Sequence, residues 1–120
     1  MNVTSVQILN RGIANKECLY FKVLTAFNLA YLVAFETSYI SQQAVVNAGR
    51  RSYWFPSKIV KPGDHVFLYT SPGANGETLH TDGTTILSFY WGFTETIWNQ
   101  PTSCALVFEI TSWQATLYPK

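Results

Sequence analysis

The sequence predicts an all-β domain, and three observations lead to this prediction. Short runs of β-branched and aromatic residues recur along the chain, as in Thr85–Trp91, and several alternate between two faces. Clusters of glycine, proline and asparagine separate these runs, which is typical of turns between short strands. No segment combines a helix cap with helical spacing. We therefore expect about eight or nine strands in an immunoglobulin-like β-sandwich, or in a closed barrel.

The first strands are predicted from the alternation near the N-terminus. Val3–Leu9 alternates as a short strand, and Glu17–Thr25 is expected to be a second strand with apolar side chains on both faces. Such a strand is expected where aromatic residues also cover an outer face or an edge. A third strand is predicted at Leu29–Thr37, where a helix is the alternative. We prefer the strand because the run is short and aromatic, and we expect another short strand within Gln42–Asn47.

The middle of the chain, Arg51–Thr70, gives the clearest strand and turn signals. The aromatic run Tyr53-Trp54-Phe55 ends at Pro56, which lacks an N–H for a central ladder. Lys61-Pro62-Gly63-Asp64 is predicted to be a β-turn, with proline at the second position and glycine able to take positive φ at the third. A second apolar strand is predicted at Val66–Tyr69.

Residues 71 to 84 are predicted to form a long loop or a protruding hairpin, because three turn signals fall within them. Loops of this length are uncommon without a function, but no ligand set is recognisable here. The turn signals are Pro72-Gly73, Asn75-Gly76 and Asp82-Gly83. The remaining predicted strands are Thr85–Trp91, Cys104–Ile110 and Trp113–Tyr118.

Length and charge limit the class of protein. A chain of 120 residues is expected to form a single domain over residues 1–120. Only 12% of the residues are charged and the net charge is +1, which gives no electrostatic case for nucleic acid or an anionic membrane. Low charge means little repulsion between copies, so we expect a homo-oligomer or an apolar protein partner.

The N-terminal residues and the lengths of the apolar runs indicate where the protein is located in the cell. Met1–Ser5 has no charged start or apolar core, so no secretory signal is predicted, and no apolar run is long enough to span a membrane. We therefore expect a soluble, cytoplasmic protein.

Cys18 and Cys104 lie on strands that could face each other across the core. Two buried reduced thiols are the favoured interpretation, and a disulfide is the alternative.

The sequence contains no persuasive catalytic or metal-binding set, so we expect no enzyme activity, no cofactor and no metal. His65 begins a strand and His80 lies in the long loop, and the serines that a nucleophilic mechanism would need, such as Ser71 or Ser88, stand at no selective spacing. The histidines and cysteines are scattered singly, whereas zinc ligands commonly come in closely spaced pairs. A small hydrolase using His65 or His80 is the weakest functional hypothesis.

Outward aromatic side chains are the best binding candidates. Consecutive strand residues point to opposite faces, so one ring of Tyr53/Trp54 and one of Tyr90/Trp91 should face outward. Two exposed rings would suit a protein surface or, as an alternative, the stacking of a sugar ring. The candidate binding residues are Tyr53, Trp54, Tyr90, Trp91 and Trp98, although most of these aromatic side chains are expected to lie in the core, since a sandwich needs large inward residues. The basic pair Arg50 and Arg51 is a further candidate, for which the solvated start of a strand is the simpler interpretation.

The order of motifs over residues 3 to 110 resembles the lamin tail domain. That family has a Phe-Pro before a glycine-containing turn, an apolar strand and a later tryptophan-rich segment. The matching pieces are Phe55-Pro56, Val60–Asp64, Val66–Tyr69, Tyr90-Trp91-Gly92 and Ile97-Trp98-Asn99, with Val6–Asn10, Leu19–Val23 and Ala105–Phe108 in place of the family's first and last strands. The resemblance implies an immunoglobulin-like β-sandwich that acts as a non-enzymatic interaction module. It does not carry over the nuclear scaffold role, because no heptad rod is present.

Overall fold

The computed structural model describes residues 1–41, 44–45 and 51–116, and these residues form an all-β fold. Eleven strand segments are present in this part of the chain, three of them only two residues long, together with one short 3₁₀ turn at Leu29–Tyr31. The strands are β1 Gln7–Leu9, β2 Cys18–Lys22, β3 Phe27–Asn28, β4 Leu32–Ser41, β5 Ala44–Val45, β6 Arg51–Trp54, β7 Ile59–Val60, β8 His65–Tyr69, β9 Gly76–Leu79, β10 Thr85–Tyr90 and β11 Ser103–Glu109.

The first sheet has five strands in the order β1-β2-β8-β10-β9. Its neighbours are antiparallel except for β8 and β10, which run parallel with Phe67 opposite Ser88. The connection between the two parallel strands contains β9, which returns along β10 as an antiparallel edge strand. This register decides which side chains of distant segments become neighbours on the outer surface of the sheet.

The second sheet is built around the long strand β4. One edge of β4 pairs antiparallel with β11, and the other pairs with β6 near its start and with β5 near its end. Val33 therefore lies between Phe108 on β11 and Trp54 on β6. A small third sheet joins β3 to β7 through the pairs Phe27–Val60 and Asn28–Ile59.

A single hydrophobic core lies between the two main sheets, an arrangement compatible with a β-sandwich. Alternation places Leu19 and Phe21 of the first sheet and Leu32 and Ala34 of the second in this core. Phe55 packs edge-to-face on Phe21, with ring centroids 5.8 Å apart, and fills the space between the sheets. The rest of the core comprises Val3, Val23, Leu29, Val60, Val66, Leu68, Leu87, Phe89, Ile97 and Trp98.

The turn predicted at Lys61–Asp64 is confirmed. Gly63 has φ +90°, and the Asp64 N–H donates to the Lys61 carbonyl at 3.1 Å, as the turn requires. The Asp64 carboxylate is buried and accepts hydrogen bonds from the Lys61 and Thr85 N–H groups and from the Lys61 ammonium. Burial raises the pKa of this carboxyl, but the bonds and charge of its donors outweigh burial and lower it. The turn thereby fixes the start of β8 against β10.

Several predicted strands differ in extent from the structure; of Val3–Leu9, only Gln7–Leu9 is a strand, together with an isolated bridge at Val3. Leu29–Thr37 begins with a 3₁₀ turn capped by the Asn28 side chain, and the strand starts at Leu32 and continues to Ser41. For residues 71–84 the hairpin alternative is confirmed, because β9 pairs antiparallel with β10 through a turn at residues 80–84, and this pairing compensates for weak local strand propensity. The last predicted strand is wrong for residues 113–116, which have no strand conformation, and its final two residues lie outside the described range.

Other sequence predictions fall partly on residues that the structure does not describe. Of the short strand expected within Gln42–Asn47, Ala44–Val45 is described and forms β5, and the rest lies outside the described residues. In the described part of the chain, no helix is long and apolar enough to cross a membrane.

Candidate functional site

The outer surface of the first sheet carries a continuous set of aromatic rings. Because Leu19 and Phe21 point into the core, Tyr20 projects outward from β2 and meets Phe67 directly across on β8. The ring centroids of these two residues are 4.8 Å apart. Phe67 in turn stacks near Tyr69, and Tyr69 lies nearly parallel to Tyr90 with centroids 5.2 Å apart.

An open groove with a volume of about 250 Å³ lies at one end of this aromatic set. The Tyr20 hydroxyl is hydrogen-bonded to His65 Nδ1 at 2.7 Å, which fixes the imidazole against the groove wall. The two rings are also stacked, with their planes 19° apart. We call this feature the aromatic groove, and its lining residues are Leu9, Tyr20, His65, Phe67, His80 and Ile86.

The outer surface of the second sheet carries rows of apolar side chains that run across its strands. Phe108, Val33 and Trp54 form one row across its three strands, and Leu106 and Phe35 belong to the next row. The Phe35 and Phe108 rings lie 5.3 Å apart. We call this surface the apolar face, and it consists of Val33, Phe35, Trp54, Leu106, Phe108 and Trp113.

Trp54 is the most prominent ring of the apolar face and is 48% exposed. Its indole N–H donates to the Ala30 carbonyl at 2.7 Å, and its ring packs edge-to-face on Trp113, with centroids 4.8 Å apart. These contacts hold the indole in one orientation while half of its surface remains accessible. A large side chain that is both exposed and held is typical of binding surfaces.

The prediction that each aromatic pair splits between two faces is confirmed. Trp54 is exposed, whereas Tyr53 packs on Phe55 and against the core. Trp91 packs against the core, whereas Tyr90 stacks on Tyr69 outside it. Tyr53 and Trp91 are therefore the inward members of their pairs, and both are partly buried against the core.

Trp98 is corrected to a core residue, because its side chain is completely buried. Its indole N–H donates to the Cys104 carbonyl at 3.1 Å, and its ring packs on Trp91. The buried carboxylate of Glu17 fixes this segment by accepting hydrogen bonds from the Ile97 N–H at 2.9 Å and the Trp98 N–H. A ring enclosed in this way contributes to stability and offers no surface to a ligand.

The basic pair gives no separate site within the described residues. Arg50 lies outside them. The guanidinium of Arg51 is 2.9 Å from the buried carboxylate of Glu36 and lies over the Phe93 ring. Arg51 opens β6, as the simpler interpretation predicted, and its charge is neutralised within the protein.

Cys18 and Cys104 lie on strands of the two different main sheets, and both are free thiols, as the favoured interpretation predicted; Cys18 is buried and Cys104 is partly buried. Cys18 shares a strand face with Tyr20, opposite the core-facing Leu19, and Cys104 lies on the other sheet. No disulfide joins them. Burial, with a smaller effect from the charge of Glu17, raises the pKa of the Cys18 thiol to about 11.

The histidines give no support to hydrolytic chemistry. Among the described residues, neither His65 nor His80 forms a hydrogen bond to a serine or a carboxylate. His65 is instead engaged with Tyr20. The same part of the chain holds no cluster of three histidine, cysteine or acidic residues that could bind a metal ion.

Apart from Trp54 and Tyr90, sequence reasoning did not identify the residues that form the two outer surfaces. The alternation of β11 separated Leu106 and Phe108 from Ala105 and Val107, but it did not indicate which set faced outward. Similarly, the two apolar faces of β2 indicated an aromatic outer surface without placing His65 beside Tyr20. Both signals were present in the sequence, and the missing information was strand register.

Comparison with known proteins gives no relative from which to infer a function. The chain matches no family model, no curated protein and no solved structure.

Proposed function

We propose that this chain is a non-enzymatic interaction module that resembles the lamin tail domain and uses the apolar face to bind a protein surface. The first occupant we propose is a second copy of the chain. The proposal includes an immunoglobulin-like sandwich, which is supported by the motif order in the sequence and by two main sheets sharing one core. The observation that carries it is the row Phe108–Val33–Trp54 on the outer surface of the second sheet.

The exposed area of the apolar face is large enough to be functional. Trp54, Phe108 and Trp113 are 48%, 48% and 60% exposed. With about 200 Å² for each aromatic side chain, the three expose roughly 300 Å² of apolar surface. The largest apolar patches on monomeric proteins are about 300–600 Å² and often mark interaction sites.

The charge of the chain favours self-association over a charged partner. The net charge is +1, so two copies would repel each other only weakly. A stable complex of ordinary size buries about 800 Å² on each partner, more than these rings supply. The expected dimer is therefore weak, with a dissociation constant in the micromolar to millimolar range.

Carbohydrate binding, the alternative, has less support. Tyr90, one of its two outward rings, stacks on Tyr69 and packs so closely on Gly73 that a Cβ there would overlap the ring. Those contacts leave less of the ring for stacking on a sugar. Trp54 keeps an accessible face, but it lies beside Trp113 and the apolar row rather than among amide and carboxylate side chains.

Sedimentation velocity over a dilution series tests the proposal. We expect the wild-type chain to form a dimer reversibly, and Phe108→Ser to weaken this dimer at least tenfold because an exposed ring of the row is removed. Leu79→Ser is the matched control, since Leu79 is 72% exposed but lies on β9 of the other sheet.

A wild-type chain that remains monomeric at about 1 mM would rule out the second copy as occupant. Equal weakening by Phe108→Ser and Leu79→Ser would remove the apolar face from the proposal. A monomer that becomes a dimer only on addition of a soluble glycan would favour the carbohydrate alternative.

A further inference from the structure

The aromatic groove lies on the opposite sheet from the apolar face and plays no part in the function proposed above. We propose that it binds a small, flat aromatic anion with one or two fused rings and a single acidic group. The proposal depends on the volume of the groove, the chemistry of its walls and the position of Lys22 beside His65.

The volume sets the size of the ligand. An apolar cavity of about 150 Å³ holds one benzene ring. The groove, at about 250 Å³, has room for one ring or two fused rings. Its walls include the Tyr20 and Phe67 rings, with centroids 4.8 Å apart, and the aliphatic side chains of Leu9 and Ile86. Such walls favour a ligand with a flat apolar face.

The polar groups of the groove favour an acidic substituent. His65 uses Nδ1 in its bond to Tyr20. Its other ring nitrogen, Nε2, has no hydrogen-bond partner within the described part of the chain. Lys22 is the direct strand neighbour of His65 in the β2–β8 register and is exposed. An ammonium group beside a side chain with an available nitrogen suits a carboxylate.

No acidic side chain lines the groove among the described residues. Asp82 interacts electrostatically with the second imidazole of the groove, His80. The Asp82 carboxylate accepts hydrogen bonds from the N–H and the hydroxyl of Thr84, at 2.9 and 2.6 Å, and these bonds hold it within its own turn. The lining of the groove therefore carries no carboxylate, and Lys22 supplies a positive charge next to His65. A sugar of similar size would leave several hydroxyls facing carbon, which is unfavourable.

The test is a titration of the ¹⁵N-labelled full chain with indole-3-acetate, followed by amide chemical shifts, with neutral indole-3-acetamide as the matched ligand. We expect shifts centred on β2 and β8 and a dissociation constant of about 1 mM for the acid, given the usual affinity per ligand atom. The amide should bind about two- to fivefold more weakly, because it lacks the charge attraction.

Three variants separate the contributions to binding. Lys22→Met should lower the affinity for the acid about two- to fivefold and leave that for the amide unchanged. His65→Asn removes Nε2 but keeps an amide that can bond to Tyr20, and it should weaken the acid about three- to tenfold. Ile59→Ser, at an exposed position of β7 outside the groove, should change neither affinity.

The proposal is overturned by any of three results. These are no shift at β2 or β8 with about 10 mM acid, equal affinity for acid and amide, or shifts centred on Trp54 instead of the groove. Lys22 is an exposed surface residue, so its variant should remain folded even if His65→Asn does not.

Discussion

The two outer surfaces of the molecule are both rich in aromatic residues, but they are built differently. In the aromatic groove, Tyr20 and His65 hydrogen-bond to each other and line a shallow, open concave space. On the apolar face, Trp54 bonds to backbone beneath it and presents a ring in a row with Phe108. Aromatic content alone therefore does not define a binding surface. Concavity with polar groups suits a small ligand, whereas an exposed row suits a macromolecule.

The largest effect is expected from a substitution in the core, Glu17→Ala, which should destabilise the whole fold and therefore both surfaces. Glu17→Ala removes a buried carboxylate that accepts hydrogen bonds from the N–H groups of Gly12, Ile97 and Trp98 and from the Thr70 hydroxyl. Leaving these donors unsatisfied should lower the free energy of unfolding by about 3–5 kcal/mol, measured by urea denaturation. Glu17→Gln should cost less, because its amide oxygen still accepts. If Glu17→Ala abolished ligand binding at one surface and left the other intact, the surfaces would not share one cooperative unit.

A smaller loss of stability is expected from a substitution at Asp64, which precedes the groove residue His65 in the chain. Asp64→Ala removes the acceptor for the Lys61 and Thr85 N–H groups beside His65, and it should cost about 2–3 kcal/mol. The lowered pKa of Asp64 stabilises the fold above the unfolded pKa of about 3.9, and this stabilisation is lost as pH falls through the lower folded value. The melting temperature of the wild type should therefore fall below about pH 4.

Asp64→Asn is the control for this pH dependence, because it keeps an oxygen acceptor and cannot titrate. Its melting temperature should change less than that of the wild type between about pH 5 and pH 3. An identical acid dependence in both proteins would show that other carboxyl groups cause the loss.

The two surfaces can be compared by removing one side-chain hydrogen bond from each and measuring the free energy of unfolding. Tyr20→Phe removes the hydroxyl that bonds to His65, and Trp54→Phe removes the N–H that bonds to Ala30. Each should lower the free energy of unfolding by about 0.5–1.5 kcal/mol for the bond itself, and the tryptophan variant should also lose packing because a phenyl ring is smaller than an indole. Only Tyr20→Phe should change the ¹⁵N shifts of the His65 ring. A change there in the tryptophan variant would mean that the surfaces are coupled.

The mildest test leaves the folded chain unaltered before the probe is added. Cys18 is buried, and the pKa of its thiol is raised to about 11, so iodoacetamide at about pH 8 should label it at least about 100-fold more slowly in the folded than in the urea-unfolded protein. Mass spectrometry of the digested protein follows the labelling of Cys18 separately from that of Cys104. Equal labelling rates in the two states would show that the strand bearing Tyr20 opens readily.

The sequence predicted features that depend on neighbouring residues. The Lys61–Asp64 turn follows from the fixed φ of proline and the positive φ open to glycine, and the outward direction of Trp54 follows from strand alternation. Trp98 was misjudged because its burial depends on Glu17, which lies 81 residues earlier. The groove was missed because Tyr20 and His65 lie 45 residues apart and meet only through the register of β2 and β8.

The hydrogen bonds of Glu17 also have a consequence for how the chain reaches its native state. Its partners Thr70, Ile97 and Trp98 follow it by 53, 80 and 81 residues, and Asn2 bonds to Glu109 across 107 residues. A chain emerging from the ribosome cannot complete this set of bonds until residue 109 has been synthesised. Because contacts between distant segments slow folding, this domain should fold late and as a whole.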